Sequence, residues 1–185
     1  TMITMMLAGR LVRMVDPRRL VVTGLLLTAL SLWIMTGFSP QMDSRLIVVS
    51  GVVQGLGLGL VFVPLSTVAF ATLAPQFRAD ATSLFSLVRN IGSSIGISVV
   101  TLLLTRNVQI NHAELAAAVS PYNPNAAALV PAGSVPDAAA LVQIDGLVNL
   151  QALMIAYIDD FRAMLFVTLA AIPLALALRR PGAAA

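Results

Sequence analysis

Hydrophobic residues in this chain come in long blocks, not in the strict alternation of a half-buried strand. Leu20 to Phe38 runs nineteen residues without a charge, enough to cross a hydrocarbon core of ~30 Å as a helix. Leu46 to Leu73 is longer and contains Pro64, which removes one backbone donor and supplies a reason to bend. Two further apolar stretches, Ala81–Leu104 and Tyr157–Leu178, complete a set of four spans. Thr1–Ala8 is apolar as well, but at helical rise it covers only ~12 Å. It reads as the last turns of a helix that starts upstream. The pattern therefore predicts an all-α membrane protein with four complete transmembrane helices plus the end of a fifth.

Polar segments separate these blocks. Gly9–Arg19 carries Arg10, Arg13, Arg18 and Arg19 around Asp16-Pro17, and short turns follow at Ser39–Arg45 and Ala74–Asp80. Residues 105–156 break the pattern with Pro121, Pro124, Pro131 and Pro136, together with His112, Glu114, Asp137 and Asp145. This stretch reads as a long extracytoplasmic loop. Its second half spaces Leu141, Ile144, Val148 and Leu150 or Leu153 at about the helical period, which predicts an amphipathic helix lying on the membrane surface. Residues 179–185 form a tail.

Composition agrees: 58% of the residues are hydrophobic, 10% are charged and the mean hydropathy is +0.93. A soluble domain of this length needs more charge to cover its surface. All eleven basic residues are arginine, so this chain has no P-loop, which requires a lysine on the phosphates. With no cysteine and one histidine, thiolate or paired-histidine metal sites have no ligands here. The arginines are dispersed between apolar blocks, a topology signal and not a nucleic-acid surface. With the Gly9–Arg19 loop in the cytoplasm, seven arginines fall inside (Arg10, Arg13, Arg18, Arg19, Arg78, Arg179, Arg180) and two outside (Arg45, Arg106). The positive-inside bias then predicts a cytoplasmic C-terminus and an outer location for residues 105–156.

Few residues within the spans could carry chemistry. Gln54 stands ~12 Å deep in its span, where an amide needs a partner or a cavity. Substrate-path lining and interhelical hydrogen bonding account for it equally well. Gly51, Gly55 and Gly59 repeat every four residues, a face that lets another helix approach closely. Arg89 is ~12 Å inside the next span and is followed by Asn90, Ser93 and Ser94. Arg89 either snorkels to the cytoplasmic interface or pairs with a carboxylate that no visible span provides at its depth. The stripe it begins reads as a polar helix seam with access to substrate. Asp159, Asp160 and Arg162 read as an interfacial ion cluster, and His112 as a solvated loop residue. No nucleophile–base–acid set can be assembled, so no catalytic, cofactor or metal site is expected and an enzyme is not indicated.

Four segments in order resemble the fourteen-helix drug:proton antiporters of the major facilitator superfamily, of the EmrB/QacA type. They are Gly9-Arg10-Leu11 through Arg19, Gln54-Gly55-Leu56-Gly57 through Leu65, Arg89–Gly96, and Gln151 through Arg162. The order matches helices ten to fourteen, so the resemblance implies the C-terminal bundle of a major facilitator fold. The first segment resembles a degenerate form of the superfamily's Gly-x-x-x-Asp-Arg-x-Gly-Arg-Arg loop, with Arg13, Met14 and Asp16 at the altered positions. By resemblance the protein is a fragment of a plasma-membrane exporter of hydrophobic or cationic compounds in exchange for protons. Its partners would be the bilayer and the N-terminal helices of the same transporter. A membrane scaffold subunit whose polar stripe binds a partner protein is the rival reading, and a channel the third.

Overall fold

A computed structural model describes residues 2–12, 14–70, 73–120, 123 and 137–177. Arg13, the loop prolines Pro121, Pro124, Pro131 and Pro136, and the Arg179–Arg180 tail lie outside these residues. The order of elements is α1 (Met2–Leu11), α2 (Pro17–Met35), α3 (Ser44–Phe70), a 3-10 turn (Pro75–Phe77), α4 (Arg78–Ala118) and α5 (Ala138–Ala177). The described residues are helix and connections, without strand. Helices α2, α3, α4 and α5 are all long and apolar enough to cross a membrane.

Aspartates start three of these helices. Asp16 accepts the Arg18 backbone N–H at 3.1 Å and is followed by Pro17, whose missing donor costs nothing in a first turn. Asp43 accepts the Arg45 N–H at 3.2 Å, and Asp137 accepts the Ala140 N–H at 2.7 Å. Each carboxylate satisfies a donor that the helix itself cannot. The basic connection is accordingly shorter than the sequence pattern predicts, because α1 continues to Leu11 and α2 already begins at Pro17.

The chain divides into two compact units. The first comprises Thr1–Gly37, Asp43–Gly96 and Phe161–Ala185; the second comprises Phe38–Met42 and Ile97–Asp160.

The first unit is organised by an antiparallel crossing of α2 and α3. A Cβ built on Gly24 would stand 2.7 Å from the Gly57 carbonyl oxygen, and one on Gly57 would stand 2.5 Å from Thr28 Oγ1. No larger residue fits at either position without moving backbone. Farther along, the Ser31 hydroxyl donates to the Ser50 carbonyl at 2.7 Å, and both serines are fully buried. Lipid tails are as apolar as leucine, so this combination of close packing and hydrogen bonding is what holds membrane helices together. Helix α1 sits against the same helix, where a Cβ on Gly59 would meet Thr4 Cβ at 2.7 Å. Pro64 is completely buried within α3. On its other side α2 packs Ala29 and Leu32 against Leu165 of α5, with Met35, Phe161 and Met164 around them. Phe70 and Phe85 meet edge to face at 5.5 Å where α3 gives way to α4.

The second unit corrects the expectation of a long irregular loop. Helix α4 continues past Leu104 to Ala118, and α5 begins at Ala138. The segment from Asn107 to Ala118 is polar enough to look like loop, yet it contains no glycine or proline and completes its own backbone hydrogen bonds as a helix. The predicted surface helix at 137–156 is helical but is not a separate element; it runs unbroken into the last span. With 41 and 40 residues, α4 and α5 are each ~60 Å long at helical rise, about twice the hydrocarbon thickness. Within this unit the two helices are tied by His112 Nε2 of α4 and Asp145 Oδ1 of α5 at 3.0 Å, so His112 is a helical, paired residue and not a solvated loop residue. Along α5, Val148, Ala152, Ala156 and Asp160 recur every four residues as a buried stripe.

Replacing Gly57 with leucine is expected to force α2 from α3 and to cost about 1–3 kcal/mol, read as a lower thermal midpoint in detergent. Gly51→Leu enters open space and should stay within about 0.5 kcal/mol of the parent. Equal midpoints for the two variants would contradict the close crossing. Ser31→Ala should cost on the order of 0.6 kcal/mol, as interhelical hydrogen bonds in membranes do. Asp145 is 71% exposed, so His112→Ala should cost less than about 1 kcal/mol; a larger loss would mean that the pair anchors α4 to α5.

Candidate functional site

Polar groups in the spans fall into two kinds: those settled by helix contacts and those left open. The α2–α3 crossing settles Thr28, Ser31 and Ser50, whose hydroxyls donate to the carbonyls of Gly24, Ser50 and Ile47 at 2.9, 2.7 and 2.9 Å. These residues lock helices and leave no group for a ligand.

The glycine face predicted on α3 is only partly the one used. Gly59 packs against α1 and Gly55 is buried. Gly51 is exposed, with nothing within 4 Å of an added Cβ. The tightest contact is made by Gly57, two residues off the predicted series, facing Gly24 and Thr28. Its signal was present in the partner helix, where Gly24 and Thr28 are themselves four residues apart. Gln54 is half-buried beside Gly55 and has no hydrogen-bond partner among the described residues.

Arg89, Asn90 and Ser93 lie within the apolar part of α4, and all are exposed. Arg89 and Ser93 are one turn apart, and the Ser93 hydroxyl donates to the Asn90 carbonyl at 2.9 Å. Nothing approaches an added Cβ at Gly92 or Gly96 within 4 Å, so the small residues of this stripe adjoin open space. Arg89 has no carboxylate partner among the described residues. An unpaired arginine within a span marks a face that meets a polar interior, a cavity or a counter-charge. The structure thus keeps the two predicted groups apart: Gln54, Gly55 and Gly59 on α3, and Arg89, Asn90 and Ser93 on α4. No hydrogen bond or ion pair among the described residues joins them.

Asp160, expected in an interfacial ion cluster, is 4% exposed, and its Oδ2 has no partner among the described residues. Asp159 and Arg162 each have an interaction partner. No three His, Cys, Asp or Glu side chains gather in metal-ligand fashion among the described residues.

Comparison with known proteins adds the family. The family model described as Major Facilitator Superfamily matches residues 1–120. The multidrug export protein EmrB of Escherichia coli K12 is 34% identical over 122 residues, 65% of this chain and 24% of that protein. The multidrug resistance protein B homolog of Mycobacterium tuberculosis H37Rv is 35% identical over 118 residues, 63% of this chain and 22% of that protein. The fatty acid resistance protein FarB of Neisseria gonorrhoeae is 30% identical over 117 residues, 63% of this chain and 23% of that protein. The chain thus matches about a quarter of the length of these relatives. No solved structure matches it significantly. Four membrane-length apolar helices and a family model covering most of the chain agree: this is a membrane protein and belongs to the major facilitator superfamily.

Proposed function

We propose that the protein is a secondary active multidrug efflux transporter that exchanges hydrophobic or cationic compounds for protons. In this reading the chain supplies helices of the C-terminal bundle. The observation that carries it is the similarity to a multidrug export protein over 122 residues at 34% identity; the residues 1–120 matched by the family model include the α2–α3 crossing and the α4 polar stripe. A relative named for fatty acid resistance is compatible with the same hydrophobic substrate class.

The physical division of labour supports the reading. A transporter needs rigid helix pairs that move as bodies and polar faces that line the route between them. The α2–α3 pair has the features of the first, with backbones in contact at Gly24 and Gly57. The Arg89–Ser93 face of α4 has the features of the second, polar and uncovered. Such a protein sits in the cell inner (plasma) membrane with its C-terminus in the cytoplasm, the orientation that the arginine distribution favours.

Deleting the gene should raise ethidium accumulation in its host, and restoring the intact gene should reverse this. Collapsing the proton gradient should abolish the restored efflux. Unchanged accumulation in the deletion strain would refute the transport reading, and efflux that survives gradient collapse would refute proton coupling. Arg89→Ala in the intact gene should lower efflux by about tenfold, equivalent to ~1.4 kcal/mol, with normal protein levels in the membrane. Expression of residues 1–185 alone should give no efflux, because a midplane site requires both halves of the fold. The chain has no cysteine, so single introduced cysteines report topology. Gln41→Cys and Gln143→Cys should label from outside intact cells and Gln76→Cys only after lysis; the reverse pattern would invert the orientation.

A further inference from the structure

At the end where α2 begins and α5 finishes, two cavities follow one another along the same helices. The deeper one, about 290 Å³, is lined by apolar side chains alone, among them Val21 and Leu25 of α2, Val61 and Leu65 of α3, and Ala171 and Ala175 of α5. The outer one, about 380 Å³, is bounded by Arg18, Arg19, Asp16 and Thr23 at the start of α2 and by Leu176 of α5. Val21 and Val22 on one helix, and Ala175 and Leu176 on the other, carry the lining from one cavity to the next. All of these residues belong to the first compact unit.

The outer cavity has unspent hydrogen-bonding capacity of one sign. Arg18 Nη1 reaches the Leu176 carbonyl at only 3.5 Å, beyond the usual range for such a bond. Arg18 Nε is enclosed and has no partner among the described residues. Asp16 is committed to capping, since it accepts the Arg18 backbone N–H at 3.1 Å, and Thr23 donates to the Arg19 carbonyl at 2.8 Å. Two guanidinium groups against one carboxylate leave the mouth with a net charge of +1. Arginine presents a planar fork of donors suited to phosphate oxygens. These arginines occupy the first turn of an apolar span, the depth at which lipid headgroups lie.

We infer that this seam binds one anionic phospholipid, with its phosphodiester on Arg18 and Arg19 and an acyl chain in the apolar cavity between α2, α3 and α5. The inference is independent of the transport reading. A free anion would use the outer cavity alone, and a neutral amphiphile the inner one. Only a molecule with a negative headgroup directly above an acyl chain uses both.

The test is native mass spectrometry of the intact purified protein, titrated in detergent with dioleoyl phosphatidylglycerol or dioleoyl phosphatidylcholine. The parent protein should retain one phosphatidylglycerol about tenfold more tightly than phosphatidylcholine. The double variant Arg18→Gln, Arg19→Gln should lose that preference while still binding either lipid weakly. Ala171→Leu, which narrows the apolar cavity, should weaken both lipids and keep the preference. Equal binding of the two lipids by the parent, or an undiminished preference in the double variant, would overturn the inference. So would competition by millimolar inorganic phosphate, which would show a simple anion site. If Ala171→Leu fails to fold, the double variant on its exposed side still decides the matter.

Discussion

The rest of the first unit depends on the contact between Gly24 and Gly57. Where water is absent, apolar side chains gain nothing by leaving lipid for one another, so helices associate by fitting closely and by exchanging hydrogen bonds. The crossing does both: a glycine on each helix removes the side chain that would separate them, and the nearby Ser31 hydroxyl reaches the Ser50 carbonyl at 2.7 Å. With α2 and α3 fixed, α1 takes its place through Thr4 against Gly59, and α5 takes its place through Leu165 against Ala29 and Leu32.

The same constraint sorts the polar residues. A hydroxyl can be satisfied locally by a carbonyl one turn back, as Thr28 is by Gly24 at 2.9 Å, and so it can serve packing without further cost. An arginine cannot be satisfied in this way. Arg89 stands on a helix that buries no residue, beside the exposed Asn90 and Ser93, and that contrast is why we propose α4 as the face where solutes or partner helices act. At the opposite extreme, Arg18 and Arg19 stand at the end of the spans, where a charge is stable beside lipid headgroups.

Much of this was legible in the sequence, because membrane spans announce themselves by uninterrupted hydropathy. The four spans and their order follow from block length, and four motifs in register point to the superfamily that the family model then shows over residues 1–120. Helix ends were less legible. Asp16, Asp43 and Asp137 each look like loop charges in the sequence and prove to be caps, since a capping aspartate and a loop aspartate differ only in backbone angles. The segment 105–118 misled for a related reason: polarity reports water, not the absence of helix, and Asn107–Ala118 is a helix that has left the apolar region. Gly57 was missed because the periodic series Gly51, Gly55 and Gly59 drew attention to one face, whereas the contact is set by which residues the partner helix presents. Asp160 could not be placed by sequence, because a charged residue beside Asp159 and Arg162 reads as exposed, whereas it is 4% exposed.

Polar residues of this bundle divide into a sealed set at the α2–α3 crossing and an exposed set on α4, and we propose that the exposed set faces solute. Water-soluble thiol reagents distinguish the two in membranes from cells expressing the intact gene. Asn90→Cys and Ser93→Cys should react readily and be slowed by ethidium, while Ser31→Cys, at a position with no exposure, should stay inert. Inert residues 90 and 93, or a reactive residue 31, would contradict the account.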